Sequence, residues 1–215
     1  VAVDPGVFTA TLSRKLITPT QKKEKNRILA VVGSVNPNTK AQMEELWLSQ
    51  LIHNVFVKTR ELLESKEQRS AEIQRVIHEI LEVSHLNTVS TVTGDGIYPE
   101  NRIDFQPYME KYHCSMDDVT DKINSAFAEI AYGIFQAQPE YKGLYTSGGD
   151  VTVAVCKRFQ TAGLSLSDEV LPLAAYGQFL TGPFAGIHII TKGGSQGERD
   201  AINRCITYLK EKLYI

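Results

Sequence analysis

Hydrophobic positions along the chain switch repeatedly between short unbroken apolar runs and longer stretches where apolar residues recur at helical spacing. Ile28-Leu29-Ala30-Val31-Val32 has the length and β-branching of a buried strand. Thr39 with Gln42 fits a capping box and predicts a helix carrying Met43, Leu46, Trp47 and Leu51 inward. A turn-like His53-Asn54 precedes a second strand at Val55-Phe56-Val57. Residues 61–86 read as one helix, with Ile73, Val76, Ile77, Ile80 and Leu81 as its apolar stripe and Glu61 to Glu72 as a solvated face. Thr88-Val89-Ser90-Thr91-Val92 forms the third strand, and Gly94-Asp95-Gly96 the turn that ends it.

Residues 97–115 lack periodicity, and Pro99 and Pro107 argue for a loop. From Asp117 to Ala137, Val119, Ile123, Phe127, Ile130 and Ile134 mark a strong helix that Gln138-Pro139 ends. Tyr141 to Ser147 predicts a strand, and Val151 to Thr161 a helix closed by Gly163. Leu164 to Gly182 contains Pro172 and Gly177 and reads as short bent strands. Ile187 to Thr191 is a further strand, and Asp200 to Leu213 a last helix with Ile202, Cys205, Ile206 and Leu209 inward. A short helix around Phe8 to Leu16 and the polar run Gln21 to Arg27 complete the N-terminal region. Such alternation predicts an α/β fold: a mostly parallel sheet with helices on both faces and short antiparallel additions near residues 164–190.

At 215 residues the chain fits one large domain. With 42% hydrophobic and 22% charged residues it has ordinary globular composition. A net charge of −2 implies no broadly basic face, so nucleic acid is not expected as a partner. Cys114, Cys156 and Cys205 are scattered and odd in number, which suits a reducing, cytoplasmic compartment better than a disulfide framework. No apolar run approaches the roughly 18 residues of a membrane span, and no signal segment is seen. A start at Val1 rather than Met reads as a trimmed protein or an excised domain. His53, His78, His85, His113 and His188 show no zinc-ligand spacing, and Cys156 and Cys205 read as small buried hydrophobes.

The candidate chemistry lies in three glycine turns, each between an apolar run and a helix: Gly33-Ser34-Val35-Asn36-Pro37, Ser147-Gly148-Gly149-Asp150, and Lys192-Gly193-Gly194-Ser195-Gln196-Gly197 before a helix beginning near Glu198. A strand-to-helix turn aims backbone N–H groups and a positive helix end at one spot, which suits an anion. Gly148 and Gly149 permit positive φ and close backbone approach, and the same pair also makes an ordinary tight turn. Asp150 either caps the helix at residue 151 or, beside a phosphate, requires a Mg²⁺ between the two negative groups. Lys192 either gives its charge to phosphates or flanks the strand in solvent. Ser34 either donates to a phosphate oxygen or steadies its own turn. Turns at the carboxyl ends of parallel strands share one edge, so convergence of the three favours a single phosphate-bearing ligand. No GxxxxGK[ST], GxGxxG or GxSxG motif is present.

These blocks, Gly33-Ser34 with Thr39 and Gln42, then Ser147-Gly148-Gly149-Asp150, then Gly182 through Gly186-Ile187 to Gly197, resemble in content and order the nucleotide-binding domain of the four-carbon acid sugar kinases. The resemblance runs from about residue 28 to the C-terminus. It implies binding of ATP, with ADP as product, and of Mg²⁺, with phosphorylation of a terminal hydroxyl on a threonate- or erythronate-type acid. By it, Ser34, Gly148, Gly149, Asp150, Val151, Gly193, Gly194 and Lys192 meet the nucleotide, with Asp150 toward the metal. The family's N-terminal acid-sugar domain is absent, so residues 1–27 read as an interdomain connection and 28–215 as the nucleotide-binding domain, in a possible homo-oligomer. The chain departs from the family where Val151-Thr152 follows Asp150 in place of Thr-Ala, where Leu173 follows Pro172 in place of Gly, and where Gln196 replaces an aromatic. An alternative drawn from these departures is a non-catalytic nucleotide- or anion-binding module.

Overall fold

A computed structural model describes residues 26–215; the expected Phe8–Leu16 helix and most of the 1–27 connection lie outside the described residues. The elements run β1 (Arg27–Val32), α1 (Pro37–Ser49), β2 (His53–Val57), α2 (Thr59–Glu64), α3 (Lys66–Val83), β3 (Val89–Gly94), α4 (Gln106–Tyr112), α5 (Met116–Ala137), β4 (Tyr141–Ser147), α6 (Gly149–Arg158), β5 (Leu164–Leu171), β6 (Ala174–Phe179), β7 (His188–Lys192) and α7 (Ala201–Lys212). One seven-stranded sheet has the order β2-β3-β1-β4-β7-β6-β5. Strands β1, β2, β3, β4 and β7 are parallel, and β6 and β5 continue the sheet antiparallel. The expected parallel sheet with antiparallel additions is what the chain forms.

Period-two side-chain alternation divides the core between the faces. Leu29 and Val31 point toward α3, α5 and α6, packing with Val76, Ile80, Phe127, Ile130 and Val155. Ile28, Ala30 and Val32 point the other way, with Tyr145 and Ile190, onto Met43 and Leu46 of α1 and Ile202, Cys205 and Leu209 of α7. The helix after β1 therefore covers one face and the helix after the neighbouring β4 the other. That divergence opens a crevice at the carboxyl ends of these two strands. The outer strand β5 carries exposed Asp168 and Glu169, charges that discourage edge-to-edge pairing.

Several local expectations change. Residues 61–86 are two helices, because Ser65 takes an extended conformation (φ −152°, ψ 170°) and its hydroxyl caps α3 by accepting from Gln68 N. The 97–115 stretch holds the short helix α4, which Pro107 starts from its first turn, where no intrahelical N–H is needed. The cap of α1 is Asn36, whose side chain accepts from Asn38 N at 2.9 Å, so Thr39 and Gln42 form no capping box. Leu51 lies past the end of α1 and is exposed. His53 and Asn54 belong to β2, where Asn54 Oδ1 accepts from the hydroxyls of Thr91 and Thr93 on the next strand. Helix α6 is capped by Gly148, not Asp150. It closes at Gln160 (φ 54°) rather than Gly163, with Gln160 N donating to Lys157 O and Thr161 N to Cys156 O as in a Schellman motif. The last helix starts at Ala201, one residue later than expected.

Candidate functional site

Loop 193–198, after β7, is held from below by side chains. Lys192 Nζ donates to Gly193 O and Gln196 O, both at 2.7 Å. Thr39 Oγ1 donates to Gly194 O, and Asn38 Nδ2 to Ser195 O at 3.1 Å and Gly197 O at 2.9 Å. Gln42 Nε2 reaches the carbonyls of Gln196, Gly197 and Glu198 at 2.8, 2.9 and 3.0 Å. Every carbonyl from Gly193 to Glu198 is thus drawn toward the protein. A trans peptide points its N–H opposite to its C=O, so the amides of Gly194 and Ser195 turn outward, with no acceptor among the described residues. Outward amides on a carbonyl-pinned loop make an anion-binding concavity.

The β4 turn abuts this loop, with Gly148 N donating to Lys192 O at 3.1 Å. Gly148 has φ 111°, a conformation that favours glycine, and caps α6. Gly149 is the first residue of that helix and has ordinary φ; a Cβ there would meet nothing within 4 Å, so its face is open. Asp150 is exposed in the first turn, where a carboxylate also suits the helix dipole. Val151 points inward, 1% exposed, and would touch a Cβ on Gly33 at 3.2 Å. The Val151 side chain thus packs against the β1 turn and the core, and a hydroxyl at that position would face inward rather than toward the turn's open face. Thr152 Oγ1 bonds to Gly148 O and Thr146 Oγ1, each at 2.8 Å, and fixes the turn from behind.

The β1 turn completes the cradle. A Cβ on Gly194 would overlap Ser34 Cβ at 2.8 Å, so only glycine lets the loop lie on the serine. Ser34 Oγ accepts from Asn36 N at 3.3 Å and lies 2.9 Å from Thr39 Oγ1. Because the Thr39 proton goes to Gly194 O, the Ser34 proton goes to Thr39. An anion engaging the Ser34 hydroxyl must therefore displace Thr39 as its acceptor.

Ser34, Gly148, Gly149, Asp150, Val151, Gly193 and Gly194 thus share one site at the carboxyl edge of β1, β4 and β7. Lys192 does not flank the strand in solvent: its side chain is buried beneath the loop, 2% exposed, with its ammonium on the carbonyls of Gly193 and Gln196. Burial lowers its pKa to about 8, so near neutral pH it holds a desolvated positive charge under the outward amides. Burial also pushes the Cys205 thiol on the same face up to about 12 and raises Cys156, so neither is a thiolate. Beside the loop, a cleft of about 840 Å³ opens between α6 and the β5–β6 hairpin, walled by exposed Val153, Leu166 and Leu173. An apolar cleft next to an anion cradle suits a ligand with a flat ring and a charged tail. No cluster of three or more His, Cys, Asp or Glu able to hold a metal occurs among the described residues. Asp150 alone fits a Mg²⁺ held chiefly by phosphate oxygens and water, which is this ion's habit. Of the loop anchors, Thr39 and Gln42 read from sequence as a capping box and Asn38 as part of the β1 turn, since nothing local marks a side chain that bonds a loop more than 150 residues away.

This chain belongs to the four-carbon acid sugar kinase family and comprises its C-terminal nucleotide-binding domain: the family model described as "Nucleotide-binding C-terminal domain" matches residues 29–202. Among curated relatives it is 36% identical to a D-erythronate kinase of Heliobacterium modesticaldum over 219 residues, 99% of this chain and 48% of that protein. It is 22% identical to a D-threonate kinase of Salmonella typhimurium over 192 residues, 89% of this chain and 44% of that protein. The chain spans about half the length of these relatives. A solved Bordetella bronchiseptica structure, described as a domain of unknown function with bound citrate in a domain-swapped dimer, superposes at a TM-score of 0.69 with 22% identity, covering 86% of this chain and 41% of that one. A Haemophilus influenzae structure superposes at 0.63 with 15% identity, covering 93% and 45%. Both share the fold.

Proposed function

We propose that this domain binds ATP with Mg²⁺ and supplies the phosphoryl donor for transfer to a hydroxyl of a four-carbon sugar acid, of the D-erythronate or D-threonate type named for its relatives. The observation that supports this reading is the loop whose carbonyls from Gly193 to Glu198 are all held by side chains, leaving the amides of Gly194 and Ser195 without an acceptor among the described residues, next to the Gly148 turn. In this reading the amides of Gly194 and Ser195, those at the start of α6, and the buried Lys192 charge hold phosphate oxygens. Fixed dipoles of this kind stabilise the charge of phosphoryl transfer without reorganising. The apolar cleft takes the base, and Asp150 would hold the Mg²⁺, which would supply charge neutralisation to the transferred phosphate. The acid is presented by a region equivalent to the half of the relatives that this chain does not cover. Use of ATP and three cysteines that are all free fit a cytoplasmic enzyme, and no helix among the described residues is long and apolar enough to cross a membrane.

Incubating the full gene product with Mg·ATP and a panel of four-carbon acids should yield ADP and a phosphorylated acid for D-erythronate or D-threonate. ATP binding with no transfer to any member of the panel would refute the kinase assignment.

A further inference from the structure

The order of turns along the carboxyl edge gives the proposed ligand a direction. The apolar cleft lies beside β6 and β7, and the phosphate-facing turns follow β7, β4 and β1. The β7 loop reaches across β4 until Gly194 lies on Ser34 of the β1 turn, and with neighbouring strands ~4.8 Å apart the β3 turn lies about 5 Å further on. A nucleotide with its base in the cleft therefore ends, at its reacting phosphate, toward β3.

Asp95 stands there, first in the 3-10 turn that follows β3. Its Oδ1 accepts two hydrogen bonds from Thr59, from N at 3.1 Å and Oγ1 at 2.6 Å, while Oδ2 has no partner among the described residues. The turn is clamped to the Ser34 turn by Arg102, whose Nη2 donates to Val35 O at 2.7 Å and Nε to Gly96 O at 3.1 Å. A Cβ on Gly96 would already touch Val35 Cγ1 at 3.6 Å. The carboxylate is thus half-buried, oriented through one oxygen, free at the other, and fixed to the β1 turn. Glu72, near the same edge, is by contrast saturated by Lys58 N and Arg75.

Resting on the kinase reading, we infer that Asp95 is the catalytic carboxylate that accepts the proton of the acceptor hydroxyl. The hydroxyl proton passes to Oδ2 as the oxygen forms its bond to the γ-phosphorus. The bond from that phosphorus to the bridging oxygen breaks, its electron pair leaves on ADP, and Asp95 then returns the proton to solvent. Thr59 is the positioning residue that leaves Oδ2 as the free oxygen.

The test is steady-state kinetics of Asp95→Asn in the full gene product, with the preferred four-carbon acid and Mg·ATP. Asparagine still accepts both bonds from Thr59 through its Oδ1, so the turn and thermal midpoint should hold while the basic oxygen is lost. The expected result is a fall in kcat of about 100-fold or more, with ATP affinity by calorimetry within about threefold of wild type. Thr59→Val should lower kcat about tenfold, again without weakening ATP. An Asp95→Asn enzyme within about tenfold of wild-type kcat would overturn the assignment, and so would a parallel loss of ATP binding, which would place Asp95 in the nucleotide site. A wild type that binds ATP but phosphorylates no acid would overturn the kinase reading itself.

Discussion

Leu173 sits at φ 64° in the two-residue Pro172-Leu173 connection between β5 and β6 and is 64% exposed. A left-handed conformation costs a non-glycine residue roughly 1–2 kcal/mol, partly offset by the extra unfolded-state entropy of glycine. Leu173→Gly should therefore stabilise the protein by about 0.5–1 kcal/mol in chemical denaturation, while removing apolar wall from the cleft between α6 and the β5–β6 hairpin. Lys192 gives a second prediction. Its pKa is lowered to about 8 by burial, and a bound anion above it favours the charged form, so binding raises that pKa. ADP affinity should stay flat below a pH of about 8 and weaken above it, by up to about tenfold per pH unit, until the raised pKa of the complex is passed. Lys192→Met should bind ADP more weakly and lose this dependence when titrated calorimetrically across the same range.

At the scale of elements, α1 holds a loop that lies more than 150 residues away in sequence, and the two N–H groups of Gln42 Nε2 are shared among three successive carbonyls of it. Gln42→Leu should cost about 2 kcal/mol of stability, in line with buried acceptors left unpaired. It should also weaken ADP binding more than any change on the opposite, Glu44 side of the helix, as paired denaturation and calorimetry would show. These contacts also mark what the sequence could not disclose. Strand runs such as Ile28–Val32 and the α5 stripe are legible because burial imposes a local period. Thr39 and Gln42 obey no local rule: Asn36, directly before Pro37 at the start of the helix, takes the capping role and frees both side chains for a distant loop. Residues 61–86 fail similarly, since their apolar period continues across the break that Ser65 makes with one hydroxyl.

For the whole molecule, the glycine blocks are legible as separate turns and as a family resemblance, but their meeting depends on strand order. Only the succession β1, β4, β7 in the sheet puts Ser34, Gly148 and Gly194 within contact. The same order explains why Val151 departs from the family pattern without opening the site, because its side chain fills the space against Gly33. Placement of nucleotide phosphates on these turns is tested most directly by calorimetric titration with ATP, with and without Mg²⁺, of the wild type and Gly149→Val. Residue 149 has ordinary φ and open space around its Cβ position, so the variant should fold with an unchanged thermal midpoint. The predicted result is Mg²⁺-strengthened binding in the wild type and a loss of about tenfold or more in the variant. Equal affinity in both, or no ATP binding by the wild type, would contradict it.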